Sequence, residues 1–114
     1  MVVDANWLKM KYDELILAQS SEGKWQNIKI VAQFFNEDIM TYDLESLSSI
    51  KTILGLSDID SVWLTILALF VLENRYADIE SEWQLIAKKA RTFLKAQGAT
   101  KVDSLMSNVK LTLR

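Results

Sequence analysis

The side chains available for chemistry are carboxylates, tyrosines and lysines, because the 114 residues contain neither histidine nor cysteine. That absence excludes imidazole acid–base catalysis, thiol nucleophiles, structural zinc, iron–sulfur clusters and disulfides. The carboxylates fall in pairs at Asp13-Glu14, Glu37-Asp38, Asp58/Asp60 and Glu80/Glu82. Two carboxylates do acid–base work only when a cleft drives their pKa values apart. These pairs fall instead at expected helix starts and turns, where acids cap or stay solvated. Asp58-x-Asp60 opens like a calcium loop but lacks the glycine and the distal glutamate of that pattern. Tyr12, Tyr42 and Tyr76 join no constellation with the acids or lysines, and no Gly-rich phosphate loop, Walker pattern or G-x-S-x-G elbow occurs. No enzyme, no cofactor and no metal site are expected.

The basic residues Lys88, Lys89, Arg91 and Lys95 gather near one expected helix end. They suit the helix dipole and read first as a solvated face. With 15 acids against 13 bases, the formal charge is −2, which supplies no field for nucleic acid. Aromatics are not interleaved with these bases on an exposed surface, so nucleic-acid binding is not expected.

One domain of this length fits the chain, and a composition of 50 % hydrophobic and 25 % charged residues is that of a globular protein. Proline is absent, which suits uninterrupted helices. The three glycines, Gly23, Gly55 and Gly98, each read as a helix stop. A first helix is predicted from about Asn6 to Ser20, capped by Asp4 or Asn6, with Leu8, Tyr12 and Leu15 on one side and Trp7, Met10 and Leu17 opposite. A second follows Asn27 and carries Ile28, Val31, Phe34 and Phe35. A third opens at Thr41 or Asp43 and ends at Gly55. A fourth, about residues 61–73, is apolar on nearly every side and capped by Ser57 or Ser61, so it reads as the central helix. It is far shorter than a bilayer span, and no membrane insertion is expected. A fifth begins near Asp78 and buries Ile79, Trp83, Ile86, Ala87, Ala90, Phe93 and Leu94, with Leu85 opposite. A sixth opens at Thr100 and runs Val102, Leu105, Met106, Val109, Leu113 at helical spacing. The fold class is therefore all-α, a compact bundle of five to six short helices around the central one. No signal peptide or lipidation motif is visible, which points to a cytoplasmic protein.

Of the four tryptophans, Trp63 and Trp83 read as core, while Trp7 and Trp25 are candidates for contact with a partner. Together with Met10, Leu17, Leu85 and Lys88 they form the candidate partner-binding set. Two other roles stay open: a bundle holding an apolar small ligand, and a self-associating scaffold, including a homodimer.

The ordered landmarks carry a resemblance. They are Gln19-Ser20-Ser21-Glu22-Gly23-Lys24-Trp25, a Q-x-x-x-G-x-W turn; Trp63-x-Thr65-x-x-Ala68-x-x-x-Leu72-Glu73; Glu82-Trp83-x-x-Ile86; and Lys89-Ala90-x-x-Phe93-Leu94. The series, over about residues 15 to 98, resembles the C-terminal helical region of von Willebrand factor A domain-containing proteins that carry an N-terminal VIT domain. Vault poly(ADP-ribose) polymerase is related to these by domain content. The resemblance implies a terminal module of a larger cytoplasmic protein with a non-catalytic binding or assembly role. Its implied partner is the major vault protein or another domain of the same chain. It supplies no catalytic residues, and no metal-ion adhesion motif or ADP-ribosyl transferase signature is present.

Overall fold

The computed structural model describes residues 5–40, 59–99, 102–107 and 109–114. Helix α1 is Ala5–Ala18, α2 Ile28–Ala32, α3 Ile59–Arg75, α4 Glu80–Ala96 and α5 Val102–Ser107, with a 3-10 turn at Ala77–Ile79. The chain is all-α, as its apolar periodicity requires. The helix expected between Thr41 and Gly55 and the candidate cap of the fourth helix at Ser57 lie outside the described residues.

Helix α3 is the axis of the bundle. Every residue from Ser61 to Leu69 is buried, and α2, α4, α5 and the 3-10 turn all pack on it. A helix apolar all round can be stable only when enclosed in this way. Ser61 sits inside α3 rather than at its cap, and its carbonyl accepts the Thr65 hydroxyl at 2.7 Å. The next helix, α4, is one-sided. Its stripe of Trp83, Ala87, Ala90, Phe93 and Leu94 is buried, while Leu85 opposite is 79 % exposed. Glu80 and Glu82 in its first turn and Lys95 in its last match the helix dipole. Gly98 closes it at φ +86, with its N–H on the Lys95 carbonyl and that of Ala99 on Leu94, the paired C-terminal bonds of a Schellman motif.

Two expected helices are shorter than their periodicity suggests. Asn27 caps α2 by accepting the Ile30 N–H at 3.3 Å, but the helix stops at Ala32. Phe34 and Phe35 are buried from the turn beyond it, and Ile28 is 42 % exposed. Likewise α5 ends at Ser107, and Leu113 is not helical but forms an antiparallel bridge with Phe35. Side chains at i and i+4 share a face in an extended chain as well as in a helix, so Val109 and Leu113 fit both. Leu111 between them fits the extended chain, whose exposure alternates from Val109 to Arg114.

Candidate functional site

Three of the four tryptophans are buried, and each indole N–H donates to a backbone carbonyl: Trp25 to Leu15 at 2.8 Å, Trp63 to Ile39 at 2.6 Å and Trp83 to Tyr76 at 2.7 Å. Buried indoles require such partners, since an unpaired donor in the core costs about 1–3 kcal/mol. Trp25 is therefore corrected from candidate partner contact to core residue. Trp7 is half-buried, its ring edge against Phe34 at 5.8 Å. Met10, Leu17 and Leu85 remain on the surface, at 55, 84 and 79 % exposure, and Lys88 is exposed on α4.

The Q-x-x-x-G-x-W turn is a junction inside the fold. Gln19 Nε2 donates to the Gly23 carbonyl at 3.1 Å and to the Ile86 carbonyl of α4 at 3.0 Å. Gly23 has φ +96, and a Cβ there would lie 2.4 Å from the Lys89 carbonyl oxygen. Only glycine lets the turn lie so close to α4. The Trp25 backbone N–H then donates to Thr65 Oγ1 at 3.0 Å, and that hydroxyl passes its own proton donation back to Ser61. The motif thus fastens the end of α1 to α3 and α4. Of the remaining landmarks, Trp63, Thr65, Ala68, Leu72, Trp83, Ala90, Phe93 and Leu94 are buried, Ile86 is half-buried, and Glu73, Glu82 and Lys89 are exposed. The buried ones specify packing.

The junction also links the turns that carry two exposed leucines. Leu17 stands two residues before Gln19 and Leu85 one residue before Ile86, so the Gln19–Ile86 bond holds their turns together. Tyr76 performs the same service further along α1. Its hydroxyl donates to the Leu8 carbonyl at 2.6 Å, and its ring meets those of Tyr12 and Phe34. Burial pushes the Tyr76 hydroxyl up to about 12, against a smaller opposing effect of Arg75. Burial also raises Tyr12, helped by the carboxylates of Glu82 and Asp13.

Among the described residues the paired carboxylates do not converge. Glu14 accepts from Lys11 at 3.0 Å and Gln33 at 3.1 Å, which lowers its pKa. Glu37 is lowered by accepting the hydroxyl and N–H of Thr112. Asp38 caps the Met40 N–H at 3.0 Å. Among the described residues no three acidic side chains gather to hold a metal ion. Of the basic set, Arg91 bridges Glu73 at 2.9 Å and Asp103 at 3.1 Å, joining α4 to both neighbours. Two of the clefts open to solvent are formed by described residues. One of about 380 Å³ lies between Glu73 and Lys88, Arg91 and Lys95; another of about 390 Å³ lies between Tyr12, Asp13, Arg75 and Glu82. Charged side chains make up about half of each lining, and in the second they stand beside Leu8, Tyr12, Tyr76 and Ile79. No described helix is long and apolar enough to cross a membrane.

Compared with protein-family models, curated proteins and solved structures, the chain matches none.

Proposed function

We propose that this domain is a non-catalytic protein–protein interaction and assembly module that uses the outer faces of α1 and α4. One observation carries the reading: Leu17 and Leu85, each about four-fifths exposed, stand on turns fastened together by the buried junction. Single exposed leucines are ordinary. Two of them on adjoining rigid turns, with Met10 two turns back along α1, offer a preformed apolar surface whose ordering cost is already met by the fold. The von Willebrand A-associated resemblance supports the same role and adds a setting, a larger cytoplasmic protein docked on a particle such as the vault. Its named candidates are the major vault protein and another domain of the same chain.

The test is a titration of the domain with purified major vault protein, alongside affinity capture of partners, for wild type and for Leu17→Ala and Leu85→Ala. An anchor residue truncated to alanine costs about 2 kcal/mol or more of binding. The expected result is saturable binding weakened by either substitution with an unchanged melting temperature. Wild-type affinity in the double variant would remove this face.

A further inference from the structure

A cleft of about 390 Å³ opens between α1, the end of α3 and the start of α4. Leu8, Tyr12, Tyr76 and Ile79 form its apolar lining, and the Tyr12 and Tyr76 rings meet there with centroids 5.0 Å apart. Around them stand three carboxylates, Asp13, Asp78 and Glu82, and two cations, Lys9 and Arg75, all exposed. None of the five has an ion-pair partner among the described residues. Asp13 and Glu82 separate from the two cations along the cleft. Burial apart, Glu82 and Asp13 raise the Tyr12 hydroxyl, whereas Arg75 is the leading charge at that of Tyr76. That second hydroxyl bonds Leu8, one turn before Tyr12, and Lys9 is one turn before Asp13. Leu17 follows Asp13 by one turn, and Leu85 follows Glu82 by one turn. The acidic end of the cleft is thus the end toward the exposed leucines.

An aromatic ring with carboxylates beside it suits one side chain above others. A guanidinium is planar and always charged, stacks on aromatic faces and donates to carboxylates in a fork. Lysine offers only a point charge, and an apolar group would desolvate Asp13 and Glu82 without a counter-charge. We infer that the partner of this surface is a protein segment that lays an arginine over the Tyr12 ring, against Asp13 and Glu82, and an apolar residue next to it on Leu17 and Leu85. Arginine set in a partly apolar pocket is a common form of interface anchor. This rests on the interaction-module reading above and names the chemistry of the partner.

The probe is the blocked peptide acetyl-Ser-Arg-Ser-Leu-Ser-amide, titrated into the isotope-labelled full chain and followed by NMR at low and high salt. Two residues of extended peptide span about 6.8 Å, close to the ~5.4 Å helical turn between the acidic end and the leucines. The amides of Tyr12, Asp13, Glu82 and Leu85 shift saturably, and added salt weakens the binding. A peptide with glutamine in place of arginine binds at least about tenfold more weakly. Asp13→Asn and Glu82→Gln each weaken the arginine peptide by about threefold or more and leave the glutamine peptide unchanged, which isolates the charge pairing. Circular dichroism checks that each variant keeps its helices. No saturable shift up to about 10 mM peptide overturns the inference, as do equal affinities of the arginine and glutamine peptides. If a captured protein partner is still weakened by Leu17→Ala and Leu85→Ala, the interaction-module reading survives without its arginine. Loss of both overturns both.

Discussion

Two junctions tie distant parts of the chain together, one inside the core and one in water. The inner joins the turn at 19–25 to α3 and α4 through Trp25–Thr65 at 3.0 Å, Trp25–Leu15 at 2.8 Å and Gln19–Ile86 at 3.0 Å. The outer joins residues 34–37 to 112–114 through Thr112–Glu37 at 2.6 and 2.9 Å and the Asn36–Thr112 backbone bond at 3.0 Å. The bond lengths are alike, and the consequences of losing them are not. Trp25 and Thr65 are fully buried, so a bond removed there leaves a donor with no solvent to take it. Glu37 and Thr112 are exposed, and water replaces whatever either loses. Burial, not geometry, decides which junction the fold depends on.

The comparison breaks most clearly at Gly23. Gly23→Ala forces a side chain into the left-handed region and against the Lys89 carbonyl. Backbone strain and overpacking each cost about 1–3 kcal/mol, so denaturant melts should show a loss of roughly 3 kcal/mol or more. A stability within about 0.5 kcal/mol of wild type would mean that the turn does not lie on α4. Thr65→Val comes next. It keeps the shape but strands the Trp25 N–H, at a cost of about 1–3 kcal/mol. Thr65→Ser keeps the acceptor and should recover most of the loss. A larger loss in Thr65→Ser than in Thr65→Val would show that the methyl group, not the bond, matters.

Sequence made the inner junction's parts visible but not their purpose. Trp83 is legible as core from local pattern, whereas Gly23, which reads as a helix stop, lies in the turn five residues beyond the end of α1. Trp25 reads from sequence only as a candidate for partner contact, since its acceptors Leu15 and Thr65 lie in other elements and no spacing rule reaches them. The central helix was legible from its apolar run, which leaves no polar face for solvent. The outer junction was invisible: Leu113 continues a helical period, and only the Phe35 pairing shows that the chain is extended. Of the candidate surface, Leu17 and Leu85 were found as apolar residues on polar faces. That their turns adjoin depends on Gln19, whose amide reaches 67 residues along the chain.

Between the two junctions in effect stands Tyr76, buried yet titratable. Its hydroxyl is pushed up from 10.0 to about 12, so the unfolded chain loses the proton first as pH rises. Stability owed to this group is complete below pH 10 and falls between 10 and about 12. Tyr76→Phe should cost about 1 kcal/mol at neutral pH for the lost bond to Leu8. It should also flatten the alkaline decline measured by denaturant melts. A decline of unchanged steepness in the variant would assign it to another group.

The smallest effect belongs to Glu37. Its carboxylate accepts the Thr112 hydroxyl and N–H, and both bonds favour the charged form, holding its pKa below the ordinary 4.5. The folded pKa is depressed, so the clip's contribution is present above the ordinary carboxylate value and is lost as pH falls through the lower folded one. Because the group is exposed, this should not move the global melting transition. Glu37→Gln keeps one acceptor oxygen and removes the charge. The Thr112 amide should then exchange faster, and its NMR shift should no longer follow carboxylate titration. The Asn36–Thr112 backbone bond and the Arg114 bonds to Phe34 and Phe35 do not need that charge, so the segment should stay in place. If Glu37→Gln instead lowered the melting temperature as much as Thr65→Val does, exposure would not be what separates the two junctions. The C-terminal segment would then belong to the cooperative core.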